Sequence, residues 1–401
     1  MVVLIGGLLA AAAAGSSAGT SGPAWLNLLN QYREASGLSP VTEQPSWTPA
    51  VAAHLRYLAL TSGDLIAGKY ASWHTENPAS PYYSAAGAAA GGASNLIFLG
   101  DHDADADAIS GLLAAPFHAV AMLNPLLTQV AFARDSTDHS TRNNTGLDVG
   151  DGAPPVPLIP KPVFFPGPGM TTNLAAYENE EPSPLATCNY TFDPSGRTPV
   201  GLPLIAMLPQ TPSPSISATL TAPDGTVSAS GSPDLCLVTQ YNYVPADPVY
   251  GPAGIPILTA FHAVFVIPKH RLVPGSYTVH LSQPGSPDLS WAFTVVRTSQ
   301  ETHLELVGPE SPQRSGSAIR LTVIGLDSTH EPIPGLTITL FARRVGTKRW
   351  VQVSHTTIGT NGVGFVTVRP TTDTDYSARF AGSPSLNAST SFTKHIRVRP
   401  K

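Results

Sequence analysis

The apolar residues of this chain change their period partway along it, and that change decides what the chain can fold into. Trp25, Leu28, Leu29 and Tyr32 recur at helical spacing, the stripe of an amphipathic helix that Gly37 can end in a left-handed conformation. Thr48-Pro49 then supplies a capping residue followed by proline at the first helical position. Val51, Ala52, Leu55, Leu58 and Ala59 form the buried face of this second helix, which ends near Ser62-Gly63. Ser72 to Gly100 is rich in Pro, Gly and Ala and reads as a loop with a small-residue helix. Ile109, Leu112 and Leu113 mark another helix behind the acidic run Asp101 to Asp107, and Pro116 opens a further one carrying His118. Leu127 to Ala133 reads as a closing strand, so this part is α+β.

Beyond residue 168 the period is two. Runs such as Ser217 to Thr221, Ala263 to Ile267 and Tyr277 to Leu281 alternate between turns of Pro, Gly and Asp, and Trp291, Phe293 and Val295 share one face of a last strand. The same grammar continues in Ile319 to Val323, Leu336 to Phe341, Trp350 to Val353 and Gly364 to Val368, with Asn361-Gly362 as a tight-turn signal. Between the two regimes, residues 151–168 hold seven prolines and read as a semi-rigid linker. With 401 residues several cores are expected. The expected units are a signal peptide at 1–22, an α+β domain at 23–150, the linker at 151–168, and β-sandwich modules at 169–298 and 299–401.

The small-residue run Ala11 to Gly19 follows an apolar opening, with Ser16 and Ala18 suited to signal-peptidase cleavage. This predicts an exported protein, secreted or held at the cell envelope, and no stretch is long and apolar enough to read as a membrane span. In that compartment Cys188 and Cys236 are expected to pair as an inert staple. Residues 1–300 carry 10 basic and 20 acidic side chains and the remainder 12 and 7. The basic end reads as a solvated surface or one attracted to an anionic cell-surface polymer. No Lys/Arg cluster interleaved with aromatics supports nucleic-acid binding.

His74-Thr75-Glu76 and His118 are the residues from which chemistry could be built. Two imidazoles and a carboxylate suffice for a divalent cation such as zinc with an open position, or for acid/base work, provided the segment around His74 is extended so that Glu76 shares its side. His54 beside Val51 and Leu58 reads as a satisfied boundary residue. Asp101 to Asp107 is not an EF-hand, since Ala106 and Leu112 stand where Gly and Glu are needed. Gly15-Ser16-Ser17-Ala18-Gly19 matches a nucleophile-elbow pattern only by accident, within the expected signal.

Leu29-Asn30-Gln31-Tyr32-Arg33 with Gly37-Leu38-Ser39-Pro40-Val41, the helix at Thr48 to Ser62, His74, and Pro116-Phe117-His118 through Phe132 together resemble the CAP superfamily (cysteine-rich secretory proteins, antigen 5, pathogenesis-related 1) over residues 25–135. The resemblance implies a CAP-like α-β-α sandwich, followed here by two all-β sandwich domains. It implies a cavity holding His74 and His118. Ser94 stands in Gly92-Ala93-Ser94-Asn95-Leu96 where relatives carry a glutamate, and Glu76 substitutes for one acid. Trp350, Thr357 to Gly362, and Tyr376 to Gly382 resemble bacterial Ig-like repeats.

The expected function is non-enzymatic: a cleft with His74, Glu76, Ser94 and His118 that binds a small apolar or lipid-like ligand or a peptide, with or without a divalent cation, on Ig-like modules that space or tether it. The alternatives are a metal-assisted extracellular hydrolase using His74 and His118 with Glu76 as ligand or base, and a structural envelope protein. Joint Cys188→Ser and Cys236→Ser replacement is expected to cost about 4 kcal/mol on the chain-entropy model. Denaturant unfolding reads this directly, and an unchanged midpoint would show that the thiols are not bridged.

Overall fold

The computed structural model describes residues 22–399 apart from 101–102, 136–141, 155–157, 193–198, 297–301, 328–331, 384–385 and 387. The expected signal peptide, Gly22 excepted, and the motif at Gly15 to Gly19 lie outside the described residues. So do Asp101 and His102. No described helix is long and apolar enough to cross a membrane.

The first part is built from helices α1 (Ala24–Ala35), α2 (Thr48–Leu60), α3 (Ala85–Ala93), α4 (Asp105–Ala114) and α5 (Pro116–Met122). They surround a sheet of β1 (Thr42–Glu43), β2 (Ser94–Gly100), β3 (Gln129–Asp135) and β4 (Arg142–Asp148), ordered β1-β3-β4-β2. Strand alternation sends Ala131 and Ala133 to one face, where Val51 and Leu55 of α2 pack on them. Phe132 points to the other face and stacks on Trp25 of α1 with ring centroids 5.0 Å apart. Gly37 takes φ +75, ending α1 as its sequence position predicts.

Residues 151–168 do not separate this part from the next. Ile159, Val163 and Phe165 are buried, and β5 (Val163–Phe165) is the edge strand of a sheet ordered β10-β11-β7-β5. Pro162 and Pro166 flank this short edge strand, where a missing N–H costs no ladder bond. That sheet comprises β7 (Leu204–Met207), β10 (Leu235–Val238) and β11 (Ala263–Pro268) beside β5. It faces a second sheet, β6-β13-β12-β8-β9, made of β6 (Thr171–Thr172), β8 (Ser217–Thr221), β9 (Val227–Ala229), β12 (Gly275–Ser282) and β13 (Leu289–Val295). Phe164 stacks on Trp291 between them at 4.4 Å. Cys188, at the end of α6 (Leu185–Cys188), is bridged to Cys236 of β10 with Cα atoms 5.4 Å apart. Helix α7 (Gly254–Ala260) precedes β11.

One apolar cluster runs from α1, α4 and α5 into this sandwich. Phe117 of α5 sits edge-on to Phe265 (5.1 Å) and Tyr243 (5.3 Å), while Tyr32 packs on Phe165 at 5.8 Å and its hydroxyl meets Thr172 Oγ1 at 2.9 Å. Gly167 lies so close to the Ala35 backbone that a Cβ there would collide with it. The third part has a core of its own. Its sheets are ordered β14-β16-β19 and β18-β17-β20-β21, with β22 also on β20. These strands are β14 (Thr302–Val307), β16 (Ile319–Asp327), β17 (Thr337–Arg344), β18 (Val351–Thr357), β19 (Val363–Val368), β20 (Thr374–Phe380), β21 (Ser389–Thr390) and β22 (Lys394–Ile396). A short pair, β15 (Gln313–Arg314) and β23 (Val398–Arg399), runs parallel. Gly362, in the turn between β18 and β19, takes φ +78, the conformation that the Asn-Gly signal anticipates.

The shared core is tied by a buried cation. Arg33 is fully buried and donates to the carbonyls of Ser39 (3.0 Å), Met122 (2.5 Å), Asn124 (3.1 Å) and Leu127 (3.2 Å). Burial lowers its pKa to about 10, so it remains charged at neutral pH, satisfied by carbonyl dipoles at the C-terminal end of α5. Arg33→Met strands those carbonyls and is expected to cost about 3 kcal/mol. Calorimetry should show two transitions, one for residues 22–296 and one for the third part, with the substitution lowering only the first. Equal shifts of both would contradict two separate cores.

Candidate functional site

A cleft of about 510 Å³ opens between the first part and the sandwich. His74, Ser94 and His118 line it from one side, and Pro182, Tyr250, Ile257 and Phe261 from the other. The structure therefore brings together three of the four residues expected from sequence, and adds a wall that the sequence reading did not foresee.

His74 sits in the loop before α3. Its Nδ1 lies 3.0 Å from the Gly91 carbonyl oxygen, which only accepts, so the ring donates from Nδ1. Burial lowers the His74 pKa, with nearby His118 and His54 adding to the shift and the Gly91 carbonyl opposing it. The ring is accordingly neutral at physiological pH, with Nε2 as its remaining lone-pair nitrogen.

His118 is held from the other module. Its Nδ1 lies 2.8 Å from Glu180 Oε2, and the same buried carboxylate accepts from the backbone N–H groups of Phe117 (3.1 Å) and His118 (3.3 Å). Burial pushes the Glu180 pKa up, and the imidazole and the two amides pull it back. Glu180 thus caps the start of α5 and orients the imidazole together. The acid that meets His118 comes from 62 residues further along the chain and was not among the residues singled out from sequence. Its only sequence signal is the acidic cluster Glu178-Asn179-Glu180-Glu181 in a chain poor in charge.

Glu76 does not join the cleft. Its Oε1 lies 3.0 Å from His54 Nδ1 and its Oε2 accepts from Ser84 N–H at 3.0 Å. The expectation of an extended His-x-Glu segment fails because Thr75 N–H closes a turn on the Ser72 carbonyl at 3.0 Å, rotating the two side chains apart. The proposed ligand set of His74, His118 and Glu76 is therefore not assembled, and among the described residues no three His, Cys, Asp or Glu side chains converge on a metal position. The donor set does not fit zinc with an open position.

His54 is fully buried rather than at a boundary. Its Nε2 lies 2.7 Å from the Trp73 carbonyl oxygen, so this imidazole and Glu76 clamp the loop on either side of His74. Gly91 has to be glycine here, since a Cβ would enter the His54 ring. The acidic stretch behaves as a helix cap: Asp107 Oδ2 accepts from Ala104 N–H at 2.7 Å at the start of α4.

Ser94 begins β2 and its hydroxyl is buried without a partner. Opposite it in the ladder stands Asp148 of β4. Asp148 accepts from Asp151 N–H through Oδ1 at 3.1 Å and keeps a buried, unpartnered Oδ2.

No family model and no curated protein matches the chain. Solved structures give weak likenesses. The chain is similar to Salmonella alpha-2-macroglobulin reacted with methylamine at 13% identity and TM-score 0.20, over 49% of this chain and 13% of that one. The D0-D1 domain of intimin gives 14% identity and TM-score 0.18 over 49% and 89%. The Escherichia coli adhesin FdeC gives 11% and 0.21 over 67% and 82%. At these TM-scores no residue correspondence or activity carries over.

Burial raises the Asp148 pKa from 3.8 to about 6. A raised folded-state pKa means that the ionised side chain destabilises the fold above about pH 6, and that this penalty disappears below about pH 4. Asp148→Asn is expected to stabilise the protein by about 2 kcal/mol at pH 7.5, with the gain vanishing by pH 4. Urea unfolding across that range measures it, and a gain independent of pH would assign it to another cause.

Proposed function

We propose that the protein is an extracellular, non-enzymatic binding protein whose cleft takes a small apolar or lipid-like ligand, with the Ig-like third part as a spacer or tether. The observation that carries this reading is the composition of the cleft. Phe117, Ala121, Val149, Ile257 and Phe261 supply apolar wall, while His74, His118 and Ser94 supply a few convergent polar groups. A concave, mostly apolar surface with sparse polar groups is the usual form of a small-molecule site. The resemblance of residues 25–135 to the CAP superfamily agrees with a binding role, and the export signal read at 1–22 with an extracellular location. A hydrolytic role finds less support, because Glu76 is committed to His54 and Ser84 and leaves the two cleft imidazoles without a third metal ligand.

Pyrene, a rigid neutral hydrocarbon, tests the cleft. Saturable binding with a dissociation constant in the micromolar range, about −8 kcal/mol, is expected from its fluorescence. Ala121→Trp fills the cleft from a half-buried wall position and should weaken binding at least about tenfold without lowering the melting temperature. Absent saturation, or binding that ignores Ala121→Trp in a folded variant, would overturn the proposal.

A further inference from the structure

The cleft is electrically one-sided. Glu181 lines it, Glu180 lies beneath His118, and Asp247 holds the Val249 and Tyr250 amides at 2.8 and 2.7 Å behind the opposite wall. Neither Lys nor Arg is among the described residues lining the cleft. None of the ion pairs among the described residues engages Glu181 or Asp247. His118 is engaged by Glu180 and burial disfavours the charged form of His74, so neither imidazole pairs with Glu181 or Asp247. Burial, Asp247 and Glu180 push the Glu181 pKa up, and burial, with smaller contributions from Asp247 and Glu181, raises that of Tyr250.

Aromatic surface stands in the same place. Tyr250, Phe261 and Phe117 line the cleft. Tyr250 is fixed there because its hydroxyl oxygen accepts the Trp73 N–H at 2.8 Å, and its ring lies edge-on to His74. The Ser94 hydroxyl in the cleft wall is buried without a partner, as is that of Tyr243, which lies outside the lining and packs on Phe117. Each of these residues is only 5% exposed. A buried hydroxyl left unpaired beside a ligand-sized space marks a position where a polar group is missing.

We propose that the cleft binds an organic cation, an alkylammonium with an apolar tail, whose charge is received by Glu181 and the ring of Tyr250 and whose tail lies along Phe117, Ala121 and Ile257. Carboxylates and aromatic faces are complementary to an ammonium group and repel a fatty carboxylate. This inference rests on the reading of the cleft as an apolar-ligand site and adds the sign of the ligand's charge.

Calorimetric titration of the full chain with decyltrimethylammonium, decanol and decanoate, each below its aggregation limit, separates the two claims. The cation is expected to bind at least about tenfold more tightly than either of the others. Glu181 is exposed at the rim, so Glu181→Gln should keep the melting temperature and the pyrene affinity while weakening the cation about tenfold and improving decanoate. Equal or tighter binding of decanoate or decanol, or a cation affinity unchanged in Glu181→Gln, would overturn the charge assignment while leaving an apolar site. Failure of all three ligands and of pyrene would overturn the binding reading as well.

Discussion

Helix α5 has only seven residues, too short to be stable by itself, and the geometry of the cleft depends on its being held at both ends. Glu180 receives the amide protons of its first turn, and Arg33 donates to the carbonyls at and beyond its last residue. Each charge matches the end of the helix dipole that it meets. Arg33 is met by backbone carbonyls alone, whereas Glu180 is met by backbone amides and by the His118 imidazole of the same helix. Because Glu180 arrives from the sandwich and Arg33 from α1, the helix that carries His118 is also the rivet joining the two halves of the shared core.

That joint explains why the cleft has two kinds of wall. The side from the first part sets fixed polar groups among apolar ones: His74 hangs from the Gly91 carbonyl, and its loop is clamped by His54 and Glu76, beside Phe117, Ala121 and Val149. The opposite side, from Tyr250 to Phe261, is largely apolar and comes from the segment leading into β11. Two imidazoles whose Nδ1 atoms are both committed can still accept a hydrogen bond or shape a pocket. Among the described residues no third His, Cys, Asp or Glu joins them, so the set does not match a zinc site.

Local pattern made much of this legible. The stripe of Trp25, Leu29 and Tyr32 is buried, a helix does begin at Thr48-Pro49 although Trp47 rather than Thr48 is its N-cap, and the cysteines pair. His74, Ser94 and His118 do line one cleft. What failed were inferences that needed distant partners. Glu76 was placed by assuming an extended chain, which a single turn at Ser72 to Thr75 cancels. Glu180 carries no local mark of its role, because its meaning comes from amides on α5. The prolines of 151–168 looked like a linker since composition cannot distinguish a solvated spacer from the margins of a short edge strand. β4, with Asn143, Asn144 and Thr145, lacks the apolar alternation by which a strand is recognised.

The parallel pairing of β15 with β23 has a mechanical meaning. Parallel strands place the chain's entry at one end of the pair and its exit at the other. Tension applied between the start of β15 and the end of β23 therefore slides the two strands past each other and strains their hydrogen bonds together, where an antiparallel hairpin pulled from its open end would part them one by one.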